Sequence, residues 1–163
     1  MGKGQMFAAE LEREAVSTAK MLERVPDDLS WTPHEKSMNL GTLASHVALL
    51  PTFVKAALTA DGFDLATKRE TPTLTTGAEL AAAFQAGVNE AVELLINASD
   101  EDLAKIWRLS NGEKVVFELP RFAVIRTIVL NHLLHHRGQL SVYLRLNDVP
   151  LPSVYGPSAD EAI

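Results

Sequence analysis

Cysteine is absent from the 163-residue sequence. This absence excludes a disulfide framework and also excludes thiolate ligands to a metal ion. Any bound metal must therefore be held by histidine, aspartate or glutamate. The chain is long enough to bury a core without covalent cross-links, and its composition, 47% hydrophobic and 22% charged, is typical of a globular domain. We expect a single domain over residues 1–163.

An excess of basic charge is also lacking. The sequence has 15 lysines and arginines against 21 aspartates and glutamates, which gives a formal net charge of −6. Domains that bind nucleic acids usually carry a basic patch or stripe, whereas the basic residues here are scattered. We therefore expect no nucleic-acid partner.

Long hydrophobic runs are missing too. The longest apolar stretch, at residues 122–134, is interrupted by Arg126, Asn131 and His132, so it does not resemble a membrane span. The sequence passes from Met1 into a helical pattern without the apolar segment of a signal peptide. We expect a cytoplasmic protein with no membrane partner.

Four segments show the three- and four-residue spacing of apolar side chains that is typical of amphipathic helices. They cover residues 7–25, 43–50, 80–95 and 125–143. Pro26 ends the first, Asn39 is a good N-cap for the second, and Pro51 should kink it. The proline-rich tail after Leu146 cannot continue a helix. The expected fold is all-α, an antiparallel four-helix bundle.

A short β-hairpin or extended ribbon is expected just before the last helix. Asn111 and Gly112 separate the β-prone runs at 106–110 and 115–117, and Asn-Gly is a strong signal for a two-residue hairpin turn. Two strands alone are only marginally stable, so this ribbon should lie on the helices. The stretch 61–76, with its glycine and proline breakers, is expected to be a loop.

Five histidines are candidate metal ligands: His34, His46, His132, His135 and His136. His132 and His136, four residues apart, project from the same face of the last helix and could bind one ion together. His132 and His135, three apart, are a geometric alternative. A third ligand must come from another helix, and His46 is the best candidate because it lies on an otherwise apolar face.

The remaining polar residues near this motif have simpler interpretations. His34 lies in a polar connector and is expected to be solvated. Arg137 and Gln139 could contact a substrate or support a metal ligand, but hydrogen bonds at the helix surface are the preferred interpretation, since functional polar residues are rare.

A shared cation explains why several histidines would face each other among apolar residues. A single histidine on an apolar face is more often a satisfied core residue than a ligand. Two facing imidazoles, however, repel when charged and need a partner when neutral. Three neutral imidazoles leave at least one coordination position open, as in catalytic sites. Zinc, nickel, iron and copper all accept imidazole ligands, so the ligand type does not select the metal.

Three segments together resemble one known family. They are LGTLASHV at residues 40–47, NHLLHHRGQL at 131–140 and VPLPSVYGPSADE at 149–161. The second is similar to the most specific motif of the DinB-like (DinB/YfiT) family, a group of metal-dependent proteins unrelated to the DNA polymerase of the same name. The resemblance spans nearly the whole chain.

The resemblance implies that His46, His132 and His136 are the metal ligands and that His135 is not. It also implies a four-helix bundle, usually a homodimer, that holds nickel or zinc. Some relatives are S-transferases that use low-molecular-weight thiols, and others are described only as hydrolases.

The expected function is therefore a metal-dependent thiol S-transferase or hydrolase that acts on a small-molecule substrate, in which the ion activates a thiol or water. One alternative is a non-catalytic metal-binding or stress-related homodimeric module. Another is a structural homodimer whose histidines only join helices. No acidic residue matches a general base, so no catalytic residue is assigned.

Overall fold

Helices account for most of residues 2–162, the part of the chain that the computed structural model describes. The α-helices are α1 (Lys3–Glu23), α2 (Leu40–Leu49), α3 (Phe53–Thr59), α4 (Gly77–Asn97), α5 (Asp100–Ala104), α6 (Arg121–Val124) and α7 (His132–Leu146). A 3₁₀ turn over Leu50–Thr52 joins α2 to α3, and a π-helical segment over Ile125–Asn131 joins α6 to α7. The strands β1 (Gly62–Asp64), β2 (Ile106–Asn111) and β3 (Lys114–Pro120) form one sheet in the order β1-β2-β3.

Four long helical stretches correspond to the four predicted segments. They are α1, α2 continued by α3, α4, and the stretch from α6 through α7. The prediction of a mostly helical chain is confirmed. The all-α class is incomplete, because a three-stranded sheet is present and the short helix α5 was not expected. An antiparallel four-helix bundle stays a prediction, since the described residues form more than four helices.

The second helical stretch begins and bends at the expected residues. The side-chain oxygen of Asn39 accepts a hydrogen bond of 2.8 Å from the Thr42 amide, which confirms the predicted N-cap. Pro51 has no amide hydrogen to donate, and the helix tightens there into the 3₁₀ turn before α3. Within the described residues, Leu40–Thr59 is the one helix long and apolar enough to cross a membrane, but half of it is buried in the protein. A helix in the core of a soluble protein can be equally long and apolar.

The predicted hairpin is present, with its turn one residue later than expected. Strands β2 and β3 pair antiparallel, and Asn111 lies opposite Lys114. Gly112 and Glu113 are therefore the two loop residues. Gly112 has a left-handed φ of 61°, which glycine adopts without steric cost.

A third strand, β1, lies inside the stretch that was expected to be a loop. It pairs in parallel with β2, and Gly62 lies opposite Arg108. A Cβ atom at position 62 would lie 2.6 Å from the Arg108 carbonyl oxygen, so glycine permits the close approach of the two backbones. The loop prediction is wrong for Gly62–Asp64, because three residues are too few to show the alternation that identifies a strand.

The core lies where the predicted apolar stripes meet. Helix α1 packs along α4, and α2 packs against α4 and α7. Burial of each large apolar side chain contributes roughly 1.5–3 kcal/mol. The predicted stripe of α4 is at most 2% exposed: Leu80, Phe84, Val88, Ala91 and Leu95.

A buried ion pair connects α7 to α1 and to the C-terminal tail. Nη1 of Arg137 lies 2.9 Å from a carboxylate oxygen of Glu14, and both residues are buried. The Tyr155 hydroxyl accepts a hydrogen bond from Arg137 at 2.7 Å and donates one to Glu14 at 2.8 Å. The interpretation of Arg137 as a helix-surface residue is wrong, because its guanidinium crosses a helix interface. Since Arg137 follows His136 directly, the pair fixes the turn that carries His136.

Removal of the Glu14 carboxylate should destabilise the fold, because a buried guanidinium would lose its countercharge. We expect Glu14→Ala to lower the free energy of unfolding by about 3 kcal/mol, measured by urea denaturation. Glu12→Ala, at an exposed position of the same helix, is the matched control and should change it by less than about 0.5 kcal/mol. Equal effects of the two variants would contradict this role of the ion pair.

Candidate metal centre

Three imidazole rings from two helical stretches meet at one point. His46 lies near the end of α2, His132 begins α7, and His136 follows one turn later. Nε2 of His132 lies 3.4 Å from Nε2 of His46 and 2.8 Å from Nε2 of His136. The possible ligand atoms of all three lie within 4.8 Å of one another. The structure thus brings the three predicted ligands together, in a group that could hold a metal ion.

A π-helical segment lies directly before this group. It covers Ile125–Asn131 and ends where His132 begins. Segments of this kind are rare, and they are frequently found at functional sites because the wider turn changes the direction of the following residues. No pattern in residues 125–131 distinguishes them from an ordinary α-helix, so the sequence could not predict this feature.

Gln139 orients the ring of His136. Its Oε1 lies 2.6 Å from Nδ1 of His136 and accepts the proton of that nitrogen. With this proton on Nδ1, the lone pair of Nε2 faces the centre, which is the tautomer a metal ligand needs. Gln139 is exposed and forms a hydrogen bond at the helix surface, as expected, and this bond also orients a candidate metal ligand. Its spacing of three residues from His136, which places both on one helix face, is the signal that could have identified it.

His132 contains a buried nitrogen without a hydrogen-bond partner. Its Nδ1 is enclosed, and no acceptor meets it with ordinary hydrogen-bond geometry. Burial and then the neighbouring His136 lower the pKa of His132, while the Ile128 carbonyl raises it in part. That carbonyl is the group toward which a proton on Nδ1 would point, and this tautomer again leaves Nε2 free as a ligand.

His46 is held in the neutral form that binds metals. Burial is the main cause, and the neighbouring His136 and His132 add to it, so that the pKa of His46 falls from 6.5 to about 4. Metal binding at pH 7 therefore requires no proton to be removed from this ring.

The spacing of the three nitrogens also fits a small divalent ion. Nitrogen ligands 2.0–2.1 Å from a tetrahedral zinc ion lie about 3.3 Å apart. The separation between His46 and His132 is 3.4 Å, and the one between His132 and His136 is shorter, 2.8 Å. An all-imidazole donor set suits zinc, nickel and other borderline divalent ions.

The other two histidines lie outside the group. His135 is exposed, and its ring centroid lies 4.8 Å from that of His136. His34 is exposed in the connector, where its Nδ1 accepts a hydrogen bond from the Lys36 amide. Within residues 2–162, no aspartate, glutamate or further histidine joins the three rings.

A cavity of about 830 Å³ reaches His46. Its walls come from α2, the beginning of α3, strand β1 and the loop before α4, with Phe53 and Phe63 among the lining residues. The volume lies in the range of small-molecule sites. Sequence reasoning missed these two aromatic residues, because their meeting depends on the unexpected strand β1.

The family relationship follows from comparison with known proteins. The sequence model of the DinB superfamily matches residues 10–140, which make up most of the chain. The chain belongs to the DinB superfamily. The resemblance to this family is thereby confirmed, and the matched range includes the segments at residues 40–47 and 131–140.

Solved structures of other DinB-like proteins share the fold. One, from Bacillus cereus ATCC 10987, is 27% identical with a TM-score of 0.68, over 91% of this chain and 95% of that one. YjoA from Bacillus subtilis, also DinB-like, is 19% identical with a TM-score of 0.69, over 91% and 97%, and this likeness shows the fold alone. No curated protein matches the chain. The activity of this DinB-superfamily member must therefore be argued from its own site.

One divalent ion should be retained per chain if the three rings form the site. His46→Ala and His132→Ala each remove a ligand, so each should abolish metal retention through gel filtration. The measurement is elemental analysis of protein purified without a histidine tag. His135→Ala, whose ring lies beside the group but outside it, is the matched control and should keep full occupancy. Full occupancy in His132→Ala would overturn the ligand assignment.

The metal-free protein should lose stability as the pH falls from 7 to about 4.5. The pKa of His46 is about 4 in the folded protein, whereas that of a histidine in the unfolded chain is 6.5. Between these values the unfolded chain binds more protons, so the free energy of unfolding decreases with falling pH. Because the ring is only half-buried, we expect a contribution on the order of 1 kcal/mol.

The comparison of two variants isolates this contribution from that of the acidic groups. The measurement is urea denaturation after a chelator has removed any metal. Between pH 7 and about 4.5, the free energy of unfolding should fall by about 1 kcal/mol less in His46→Gln than in the wild type. His34→Gln, at an exposed position, should behave as the wild type. Parallel pH profiles of wild type and His46→Gln would show that His46 carries no depressed pKa.

Proposed function

We propose that this DinB-superfamily protein is a metal-dependent enzyme, a thiol S-transferase or a hydrolase. In this proposal His46, His132 and His136 hold one divalent ion, nickel or zinc, and a low-molecular-weight thiol or water is activated there. The observation that carries the proposal is the convergence of three imidazole nitrogens beside a cavity of about 830 Å³.

Two features favour a catalytic site over a structural one. Structural zinc sites are closed by four protein ligands, whereas catalytic sites have three and leave a position for water or substrate. In residues 2–162 the group has three members and no fourth. The cavity also gives a small molecule a path to His46.

The chain's own residues prepare this site for such chemistry. A bound divalent ion supplies Lewis acidity, which lowers the pKa of a coordinated thiol or water. Gln139 holds the proton of His136 on Nδ1 and so directs Nε2 to the centre. Burial keeps His46 and His132 neutral, and the Arg137–Glu14 pair fixes the helical turn that carries His136.

A second candidate function is a non-catalytic metal-binding or stress-related homodimeric module. The observation that favours it is the lack of an acidic residue in the group formed by the described residues. Without a nearby carboxylate, the site has no evident general base for hydrolysis. A thiol transfer needs such a base less, because the ion itself favours the thiolate.

The proposal also includes a homodimer, a single domain and a small-molecule substrate. A homodimer would cover exposed apolar side chains such as Val16 and Ile96. A single domain over 1–163, with the four long helical stretches as an antiparallel bundle, agrees with the contacts of α1 and α2 with α4. A small-molecule substrate in the cytoplasm, with neither nucleic acid nor membrane as partner, agrees with the net charge of −6 and the burial of half of Leu40–Thr59.

The thiol-transferase version predicts that a thiol reaches the metal. In cobalt-substituted protein, a coordinated thiolate adds a charge-transfer absorption band that water does not add. We expect at least one low-molecular-weight thiol to produce this band and to be transferred to a small electrophile in a metal-dependent reaction. His136→Ala should lose both signals, because it removes a ligand.

His135→Ala is the control and should retain both signals. Suppose that none of the low-molecular-weight thiols tested changes the cobalt absorption spectrum, although water bound to the cobalt exchanges fast. The proposal of a thiol S-transferase is then wrong. Metal-dependent cleavage of a small ester or amide would then support a hydrolase, and its absence would support the non-catalytic module.

A further inference from the structure

One face of α2 leads along the cavity to the candidate metal centre. Thr42, Ser45 and Leu49 line the cavity at intervals of three and four residues, so they share a face of the helix with His46. His46 lies midway along this lining, between Thr42 in the first turn of the helix and Leu49 in the last. A molecule that lies along this face therefore contacts His46.

The facing wall is aromatic and rigid. The rings of Phe53 and Phe63 have centroids 5.1 Å apart, and Phe53 also packs on Trp107 at 5.7 Å. Trp107 is fully buried and donates its ring hydrogen to the Ala56 carbonyl at 3.2 Å. This wall is thus held in place by the core and by strand β1. Aromatic walls of this kind bind apolar ligands because the ligand buries apolar surface against the rings and can stack on them.

Charged side chains do not line the cavity within the described residues. Its polar groups are hydroxyls and amides, from residues such as Ser45, Thr42 and Thr71, together with the imidazole of His46. Arg69 stacks on Phe63 at 3.7 Å, but it donates to the carbonyls of Asp64 and Thr67 and does not line the cavity. An anionic group in the part of the cavity away from the three histidines would therefore have no charged side chain of the lining to pair with.

We propose that this cavity binds an uncharged, predominantly apolar small molecule, whose reactive group lies against His46. This inference rests on the proposed function, which supplies the chemistry at the three histidines. A carboxylate that lies against this lining, away from the three histidines, loses part of its hydration and gains no charged partner. Hydroxyl groups on the ligand can be accommodated by the lining hydroxyls. The cavity thus selects against thiols or electrophiles that carry carboxylates on the part of the molecule inside it.

The first test measures occupancy of the cavity without any metal. The neutral fluorescent probe N-phenyl-naphthylamine should bind the chelated wild-type protein. Thr42→Trp and Thr71→Trp fill the cavity from opposite walls at exposed positions, and each should weaken probe binding about tenfold or more. Thr59→Trp, an exposed helical threonine outside the cavity, is the matched control and should leave the affinity unchanged. Far-UV circular dichroism verifies that each variant is folded.

Unchanged probe affinity in both cavity-filling variants would overturn the proposal, as would equal weakening in Thr59→Trp. The readout needs no bound metal and no turnover. A failure of the proposed enzymatic function therefore does not affect this result.

The second test measures the preference for uncharged ligands. Cobalt-substituted protein is titrated with pairs of thiols that differ in one carboxylate, mercaptohexanol against mercaptohexanoate and benzyl mercaptan against its carboxylated analogue. The neutral member of each pair should bind about tenfold more tightly, since the carboxylate finds no partner. Equal or tighter binding of the carboxylates would overturn the proposal. If no thiol changes the cobalt absorption spectrum, the transferase function is refuted. The binding of the fluorescent probe then tests the cavity proposal by itself.

Discussion

Three imidazole nitrogens lie within 4.8 Å of one another, on helices that pack around an apolar core, and together they could hold a metal ion. Protonation of His46 and His132 is unfavourable there, because burial lowers the pKa of both. The neutral rings direct lone pairs toward one another unless a proton or a cation is shared. A divalent ion satisfies all three at once, and the contact between α2 and α7 then becomes part of a metal site.

One turn of α7 serves three purposes in this arrangement. His136 faces the centre, Arg137 crosses to Glu14 on α1, and Gln139 returns to hold the proton of His136. Because these residues lie within four positions, a displacement of the turn would disturb the ligand, its orienting partner and the buried ion pair together. Precise placement of the ligands therefore depends on burial of a charge pair outside the site, whose loss is costly.

Local spacing in the sequence predicted the helical stripes and the pairing of His132 with a second histidine of its own helix. The choice of His46, His132 and His136 also required the resemblance to the DinB-like family. The apolar period of α4 and the N-cap at Asn39 are set by neighbours three or four residues away. Strand β1 and the role of Arg137 depend on partners more than 40 residues distant, Arg108 and Glu14, which no local pattern reveals. The π-helical segment has no sequence pattern of its own.

The unexpected strand has the largest consequence for the proposed function. It places the residues that would select a ligand on different elements from the histidines that would react with it. The histidines lie on packed helices, where their positions are set by the core. Phe63 and the residues at 71–74 lie on β1 and on the loop before α4, which form much of the cavity wall. Loops tolerate substitution better than core helices do. If the protein has the proposed function, a change in this wall would therefore alter which molecule enters without moving His46, His132 or His136.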